Sequence, residues 1–488
     1  MTVETPDFVM PDFSLALPEI WMLVMACVVL VVDLYSQDSR RGMTFMLTQF
    51  TLVVAGVLAI VAHWGEPAVT FSGTYVSDNL AAVLKVAIAG LGFLSFAYCR
   101  DYLEDRGLLK GEYFVLGLFS LLGMMIMASA HNLMTVYLGL ELLALTLYAM
   151  VAFNRDNLRA TEAAMKYFVL GAIASGILLY GMSLIYGATG SLNLAEVAVY
   201  AGEQGANDWL LLLGMTLVVV GVAFKFGAVP FHTWMPDVYQ GAPTTVALFA
   251  STAPKVAAVA LFVRLLSEGL GPIHDQWQPM IILLAVASLV VGNLAALAQT
   301  NIKRMLAYST ASHVGFILLG FIAGTAEGYS TALFYAITYG IMSAGAFGLI
   351  ILLSHRGFEA ENISDFKGLN DRSPAMALMM LLLMFSMTGI PGTVGFYAKW
   401  LVIKSVVDVG LVWLAVFAVV FAVIGAFYYL RVLKFVYFDK PETDAPPQTG
   451  SPAMRGLLVA NGIAVLLLGI FPDSLISACM AAFGVSYG

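Results

Sequence analysis

Apolar positions along this chain come in unbroken runs rather than stripes, and polar residues are confined to the short gaps between them. A stripe of period 3.6 marks a surface helix, whereas a run of about 20 residues is long enough to cross ~30 Å of hydrocarbon. The runs predict fourteen spans, near 13–35, 42–64, 78–99, 112–130, 132–153, 163–187, 208–230, 243–266, 276–298, 305–324, 329–354, 375–404, 410–436 and 455–482. The boundary between the fourth and fifth rests on Ala130-His131-Asn132 alone. The predicted fold class is an all-α polytopic membrane protein.

Two spans are interrupted by proline. Pro230 follows Lys225 by five residues, and Pro391, within Gly389-Ile390-Pro391-Gly392, precedes Lys399 by eight. A proline inside a helix removes a hydrogen bond and clashes with the carbonyl four residues earlier. In lipid such a break survives only where it faces protein or a wet cavity. The two broken helices fall in spans seven and twelve, five apart. An odd repeat must be inverted in the membrane, so the pattern fits two inverted five-helix repeats, and paired breaks of this kind point to a transport site. The expected organisation is a three-helix segment at 1–111, a first repeat at 112–270, a second at 271–438 and a last helix at 439–488.

Composition supports the same class. The chain has 488 residues, 60% hydrophobic and 11% charged, against about 25% charged in a soluble protein. Seventeen of the 23 Lys and Arg lie in alternate gaps, Lys404 alone lies in the other set, and Lys85, Lys225, Lys255, Arg264 and Lys399 lie within spans. Basic loops stay in the cytoplasm, so both termini are expected outside. The acidic start, MTVETPDFVMPDF, has no cationic n-region, and no cleaved signal is expected. A net charge of −8 gives no footprint for nucleic acid. Cys27, Cys99 and Cys479 are widely spaced, and no CxxC, GxGxxG or P-loop pattern appears. Neither an iron–sulfur cluster nor a nucleotide site is supported, so no cofactor or metal is expected in this chain.

The chemistry lies in charges buried among apolar residues. An ionised side chain at the bilayer centre costs about 2.5–3.5 kcal/mol, so Glu141, Lys225, Lys255 and Lys399 together cost about 10 kcal/mol, comparable with the net stability of a domain. A lysine in apolar surroundings sheds its charge, and a carboxylate within about 4–6 Å restores it. Glu141 with Lys225 therefore reads as a proton switch, against the alternative of a static pair fixing helix register. Lys255 has no acidic neighbour on its own span, since Glu268 lies near the outer end, and reads as a relay. Lys399 reads as the distal counterpart, or as a lysine snorkelling toward Trp400 and Lys404. His313, after Ser309, Thr310 and Ser312, reads as a water-assisted bridge between Lys255 and Lys399, or as interhelical glue. His232 and Asp237 fit either proton uptake at the cytoplasmic mouth or loop folding. Lys85 is expected to snorkel to the outer interface, and the Met, Phe and Leu stripes are packing residues.

FKFGAVPFHTWMPDVYQGAPT, ASTAPKVA, ALAQTNIKRMLAYSTASHVGF and GIPGTVGFYAKW resemble the antiporter-like membrane subunits of respiratory NADH:quinone oxidoreductase (complex I), from about Tyr113 to Tyr437. The resemblance is to the subunit N branch of that family. YLGLELLALTLY looks like its fifth span, Lys399 stands where the subunit M branch usually has glutamate, and the long lateral helix of subunit L has no counterpart. The resemblance implies a proton-translocating subunit of a bacterial inner-membrane translocase, without a redox centre of its own. It implies Glu141 and Lys225 as the paired switch, Lys255 as central connector, His313 as relay and Lys399 as output. It also implies neighbours: an antiporter-like subunit M, small membrane subunits, and partners carrying NADH oxidation, FMN, iron–sulfur clusters and quinone. A multi-subunit cation/proton antiporter, a membrane-bound hydrogenase arm and a purely structural spacer are the competing readings. Sodium selection favours clustered carboxylates, whereas this midplane is rich in lysine.

Overall fold

The computed structural model describes residues 10–36, 41–440 and 450–485. Arg40 and the acidic residues up to 9 lie outside the described residues. The chain is helical almost throughout. In order come α1 (Leu17–Tyr35), α2 (Arg41–His63), a hairpin of β1 (Ala68–Thr70) and β2 (Tyr75–Ser77), α3 (Asn79–Asp105), α4 (Gly111–Ala128), α5 (Leu133–Val151), α6 (Leu158–Thr189) and α7 (Leu194–Gln204). Then follow α8 (Trp209–Phe226), α9 (Trp234–Gly241), α10 (Thr244–Ser251), α11 (Ala253–Phe262), a π-helical turn at Val263–Gly269, α12 (His274–Leu297), α13 (Ile302–Ile322) and α14 (Ala326–Leu353). The rest is α15 (Leu369–Arg372), α16 (Pro374–Thr388), α17 (Val394–Asp408), α18 (Val412–Tyr437), α19 (Pro452–Ile470) and α20 (Asp473–Ala481).

Thirteen of these segments are long and apolar enough to cross a membrane, counting Thr244–Gly269 as one. The shorter apolar α16 belongs to the broken twelfth span. The protein is thus a multi-pass membrane protein built of the expected spans. Helix starts follow local chemistry: Asp78, Asn132, Asn157, Asn193, Asp208, Asn301 and Thr325 each accept a first-turn N–H. Such caps answer donors that lipid cannot satisfy.

Three features were not legible in the hydropathy pattern. The hairpin folds over one end of the bundle, and α7 lies between two spans without being one. The eighth span is also interrupted, between Ser251 and Ala253, where Thr252 takes φ −111° and ψ −99°. The last expected span is shorter than 455–482, because α19 stops before Phe471-Pro472.

Contacts among gaps sort the molecule into two faces. Arg106 pairs with Glu359 at 2.6 Å, Lys303 with Glu361 at 3.2 Å, and Arg304 with Asp237 at 2.8 Å. The basic gaps thus meet one another, as the alternation requires. At the opposite face the hairpin reaches Ala130 through a bridge with Tyr75.

One small device occurs twice. An antiparallel bridge between Asn132 and Asn193 joins the start of α5 to the N-cap of α7, and another between Asn301 and Asn362 joins the start of α13 to the loop that follows α14, at the N-cap of the 3-10 turn Ile363–Phe366. Leu133 N–H donates to Leu192 at 2.9 Å, and Ile302 N–H to Glu361 at 2.7 Å. The first bridge lies at the hairpin face, the second at the basic face. The neighbouring pairs α4–α5 and α12–α13 both meet at glycine. A Cβ on Gly123 would sit 2.6 Å from the Gly139 carbonyl, and one on Gly292 2.6 Å from the Ser312 nitrogen, so only a small residue allows this approach.

Candidate functional site

Both broken spans end their first helix alike. At α8, Gly227 adopts φ 76°, and the N–H of Ala228 returns to the Ala223 carbonyl at 2.9 Å. At α16, Gly389 adopts φ 90°, and the N–H of Ile390 returns to Phe385 at 3.0 Å. These are Schellman endings, which need a left-handed residue and leave the final carbonyls open. Each ending exposes negative helix-terminal charge in the interior.

A lysine answers it each time. The Lys255 amine, from α11, donates to the Phe226 carbonyl at 2.8 Å. It also lies 3.5 Å from the Met235 sulfur and 5.3 Å from the Trp234 ring centre. The Lys399 amine, from α17, donates to Met387 at 2.9 Å and Thr388 at 2.7 Å, and sits 5.1 Å from the Phe316 ring centre. Lys255 is 1% exposed and Lys399 9%. Lys399 therefore points into the protein rather than toward the interface, which sets aside the snorkelling alternative.

Lys225 occupies the last turn of α8, half-buried, and the charge acting on it is that of Glu141. Glu141 lies mid-way along α5, and its carboxylate accepts a hydrogen bond from the Ser175 hydroxyl on α6. No ion pair joins Glu141 to Lys225 among the described residues. Ser175 and Lys225, with Tyr148 and Phe224, line a cavity of about 10 Å³, roughly the space for one water. Lys225 in turn lies close enough to Lys255 for their charges to repel.

His313 is buried on α13 between two phenols. Its Nδ1 lies 2.8 Å from Tyr335 Oη on α14, and its Nε2 2.9 Å from Tyr429 Oη on α18. Ser309 also bonds Tyr429, and Thr310 bonds Tyr339 at 2.7 Å. The Lys399 charge acts on the imidazole. Lys255, by contrast, shares no hydrogen bond with His313 or its phenols among the described residues, so His313 is grouped with Lys399.

One sequence expectation changes. Lys85 does not snorkel: it is wholly buried, pairs with Glu19 at 2.5 Å, and contacts His63 Nε2 at 2.7 Å and Tyr75 Oη at 2.9 Å. The unforeseen hairpin supplies Tyr75 and closes that end. Asp237 is engaged by Arg304 at 2.8 Å and Lys166 at 2.9 Å. Burial pushes its carboxyl up, and the two cations outweigh this and hold it below its usual range. His232 lies against the Tyr308 ring, with centroids 6.1 Å apart.

Sequence reasoning missed Ser175, Tyr335 and Tyr429. A signal existed for the phenols: Tyr335 and Tyr339 stand four apart in an apolar run, and a buried tyrosine hydroxyl needs a partner. Among the described residues, no group of His, Cys, Asp and Glu could hold a metal ion.

Known proteins share this architecture. The family described as "NADH:quinone oxidoreductase/Mrp antiporter, TM" matches residues 130–425. A NADH-quinone oxidoreductase subunit N from Halorhodospira halophila is 60% identical over 484 residues, covering 98% of this chain and 100% of the relative. One from Thioalkalivibrio sulfidiphilus is 58% identical over 97% of this chain and 99% of the relative. Among solved structures, a chain of respiratory complex I from Thermus thermophilus matches with TM-score 0.81 at 32% identity, covering 94% of this chain and 98% of that one. A chain of an archaeal membrane-bound sulfane sulfur reductase matches with TM-score 0.86 at 25% identity, over 97% and 98%. The chain belongs to the NADH:quinone oxidoreductase/Mrp antiporter membrane-subunit family, in its subunit N branch.

Proposed function

We propose that this chain is a proton-translocating subunit of a bacterial NADH:quinone oxidoreductase, sitting in the inner membrane with both termini on the periplasmic side. Electron transfer from NADH to quinone takes place in partner subunits, which carry the FMN and iron–sulfur clusters. An antiporter-like subunit M and small membrane subunits flank it. The four domains are those expected from the sequence, with boundaries at 111, 270 and 438, and the duplicated asparagine bridge on opposite faces supports the inverted relation of the two five-helix units.

The observation that carries the reading is the pairing of each helix break with a buried lysine amine, Lys255 at the first and Lys399 at the second, with the Glu141 charge acting on Lys225 at the end of α8. When Glu141 approaches Lys225, the amine holds its proton; when they separate, burial releases it. The charge on Lys225 then repels or spares that on Lys255, which passes the change inward. His313, held by two phenols, and Lys399, held by carbonyls, take up the proton in the second half. Removing Glu141 as a base (Glu141→Gln) or Lys225 as a carrier (Lys225→Ala) lowers proton pumping in membrane vesicles while the complex still assembles. Normal pumping with either variant overturns the reading. Sodium-dependent exchange without NADH is the result expected of a cation/proton antiporter subunit, and the full-length relatives argue against it.

A further inference from the structure

The helix carrying Lys255 is held at both ends by one span that lies outside the residues matched by the family. At its far end, the π-helical turn Val263–Gly269 carries Arg264, whose side chain is 1% exposed. Its guanidinium grips Asp78 in a fork, Nη1 to Oδ2 at 2.8 Å and Nη2 to Oδ1 at 2.9 Å. It also donates to the Ala128 carbonyl from Nε at 3.0 Å and Nη2 at 2.8 Å, and to Glu268 at 2.5 Å. Asp78 is the N-cap of α3, and Ala128 ends α4. At its near end, the break at Thr252 places that hydroxyl 3.2 Å from Ser95 on the same α3. Lys255 stands three residues beyond Thr252.

Asp78 is itself locked. Ser77, the preceding residue, accepts or donates to His63 Nδ1 at 2.6 Å, and His63 Nε2 meets Lys85 at 2.7 Å, which pairs with Glu19. One polar chain therefore ties α1, α2 and α3 together next to Asp78. Every group in it has a partner, so it behaves as a fixed unit rather than a moving one. A π-helical turn widens a helix by one residue and occurs often at functional sites. Here it aims Arg264 at the fork.

We propose that Asp78, Arg264 and Ser95 are positioning residues for Lys255: α3 clamps the Lys255 helix against the α8 break, so that its amine meets the Phe226 carbonyl. A Lys–Glu pair alone does not need such a clamp. A lysine that must keep one hydrogen bond to a fixed carbonyl while passing a proton to or from a neighbouring lysine does, because geometry sets the transfer.

The inference rests on the proposed role of Lys255, and the experiment separates the two. Proton-to-electron ratios are measured in reconstituted, fully assembled complex bearing Asp78→Asn, Asp78→Glu, Ser95→Ala or Lys255→Ala. The clamp predicts that Asp78→Asn lowers the ratio about threefold, within the range of residues acting through a contact network. Asp78→Glu restores most of it, and Ser95→Ala gives a smaller loss. If Lys255→Ala lowers the ratio and neither Asp78→Asn nor Ser95→Ala does, the clamp is overturned and the role of Lys255 stands. If Lys255→Ala has no effect, the underlying reading fails first. Should Asp78→Asn prevent assembly, Ser95→Ala, which removes a single hydroxyl, decides by the same readout.

Discussion

At the α8 break the amine reaching the exposed carbonyl comes from another span, Lys255 on α11, whereas at the α16 break it comes from the same span, Lys399 on α17. The backbone endings are the same. The partners are not: the first break has a second lysine and Glu141, and the second has an imidazole and phenols, with no carboxylate paired to Lys399 among the described residues. Magnitudes show what this difference does. A helix C-terminus favours a cation by about 0.3–2 kcal/mol, against about 2.5–3.5 kcal/mol for a charge in the bilayer interior. A carboxylate about 6 Å away contributes about 3 kcal/mol at an effective dielectric of 20. The first half therefore has a countercharge able to set the charge of its lysine, and the second half does not. In the proposed mechanism the first half switches and the second receives.

Removing the receiver gives the largest effect. Lys399→Ala is expected to lower proton transport about tenfold, equivalent to about 1.4 kcal/mol on a barrier, and Lys399→Arg to recover little, since a guanidinium does not give up its proton. Vesicle acidification measured with a pH-sensitive dye reads this directly. Next come the two glycines that end the broken helices. A Cβ on Gly389 meets the Lys399 side chain at 2.9 Å, and one on Gly227 runs into Met235, which touches Lys255. Both also force alanine into a left-handed backbone, at a cost of about 1–2 kcal/mol. Gly227→Ala and Gly389→Ala are each expected to lower pumping several-fold with comparable losses of thermal stability. Unequal losses would show that the two endings are not equivalent.

Tyr429→Phe removes one hydrogen bond from His313, and about 1 kcal/mol is the usual worth of such a bond. A decrease in pumping of about fivefold or less is expected, with Tyr335→Phe similar. Ser175→Ala is the mildest change: it frees the Glu141 carboxylate without removing it, so a loss of about twofold is expected. A Ser175→Ala loss as large as that of Glu141→Gln would make the hydroxyl, rather than the carboxylate, the essential partner of Lys225.

Much of this was legible in the sequence because lipid leaves few choices. Runs of apolar residues had to be spans, and Pro230 and Pro391 had to mark breaks. Buried Lys225, Lys255 and Lys399 had to find partners, and two of them found the carbonyls that the breaks release. What the sequence did not reveal depended on elements brought together from far apart. Lys85 looked like an interfacial lysine until the hairpin brought Tyr75 over it and α1 brought Glu19. Arg264 was counted only as a charge within a span, although Asp78 lies 186 residues away from it in the chain. The break at Thr252 was missed because Pro254 sits in the first turn of α11, where proline is tolerated and gives no warning.

The central claim is that these amines carry the protons that the complex moves. Its most direct test is the proton-to-electron ratio of reconstituted complex with Lys225→Met and Lys399→Met together, NADH oxidation being followed in the same vesicles. The account predicts that electrons still flow and the ratio falls. An unchanged ratio at an unchanged electron flux contradicts it.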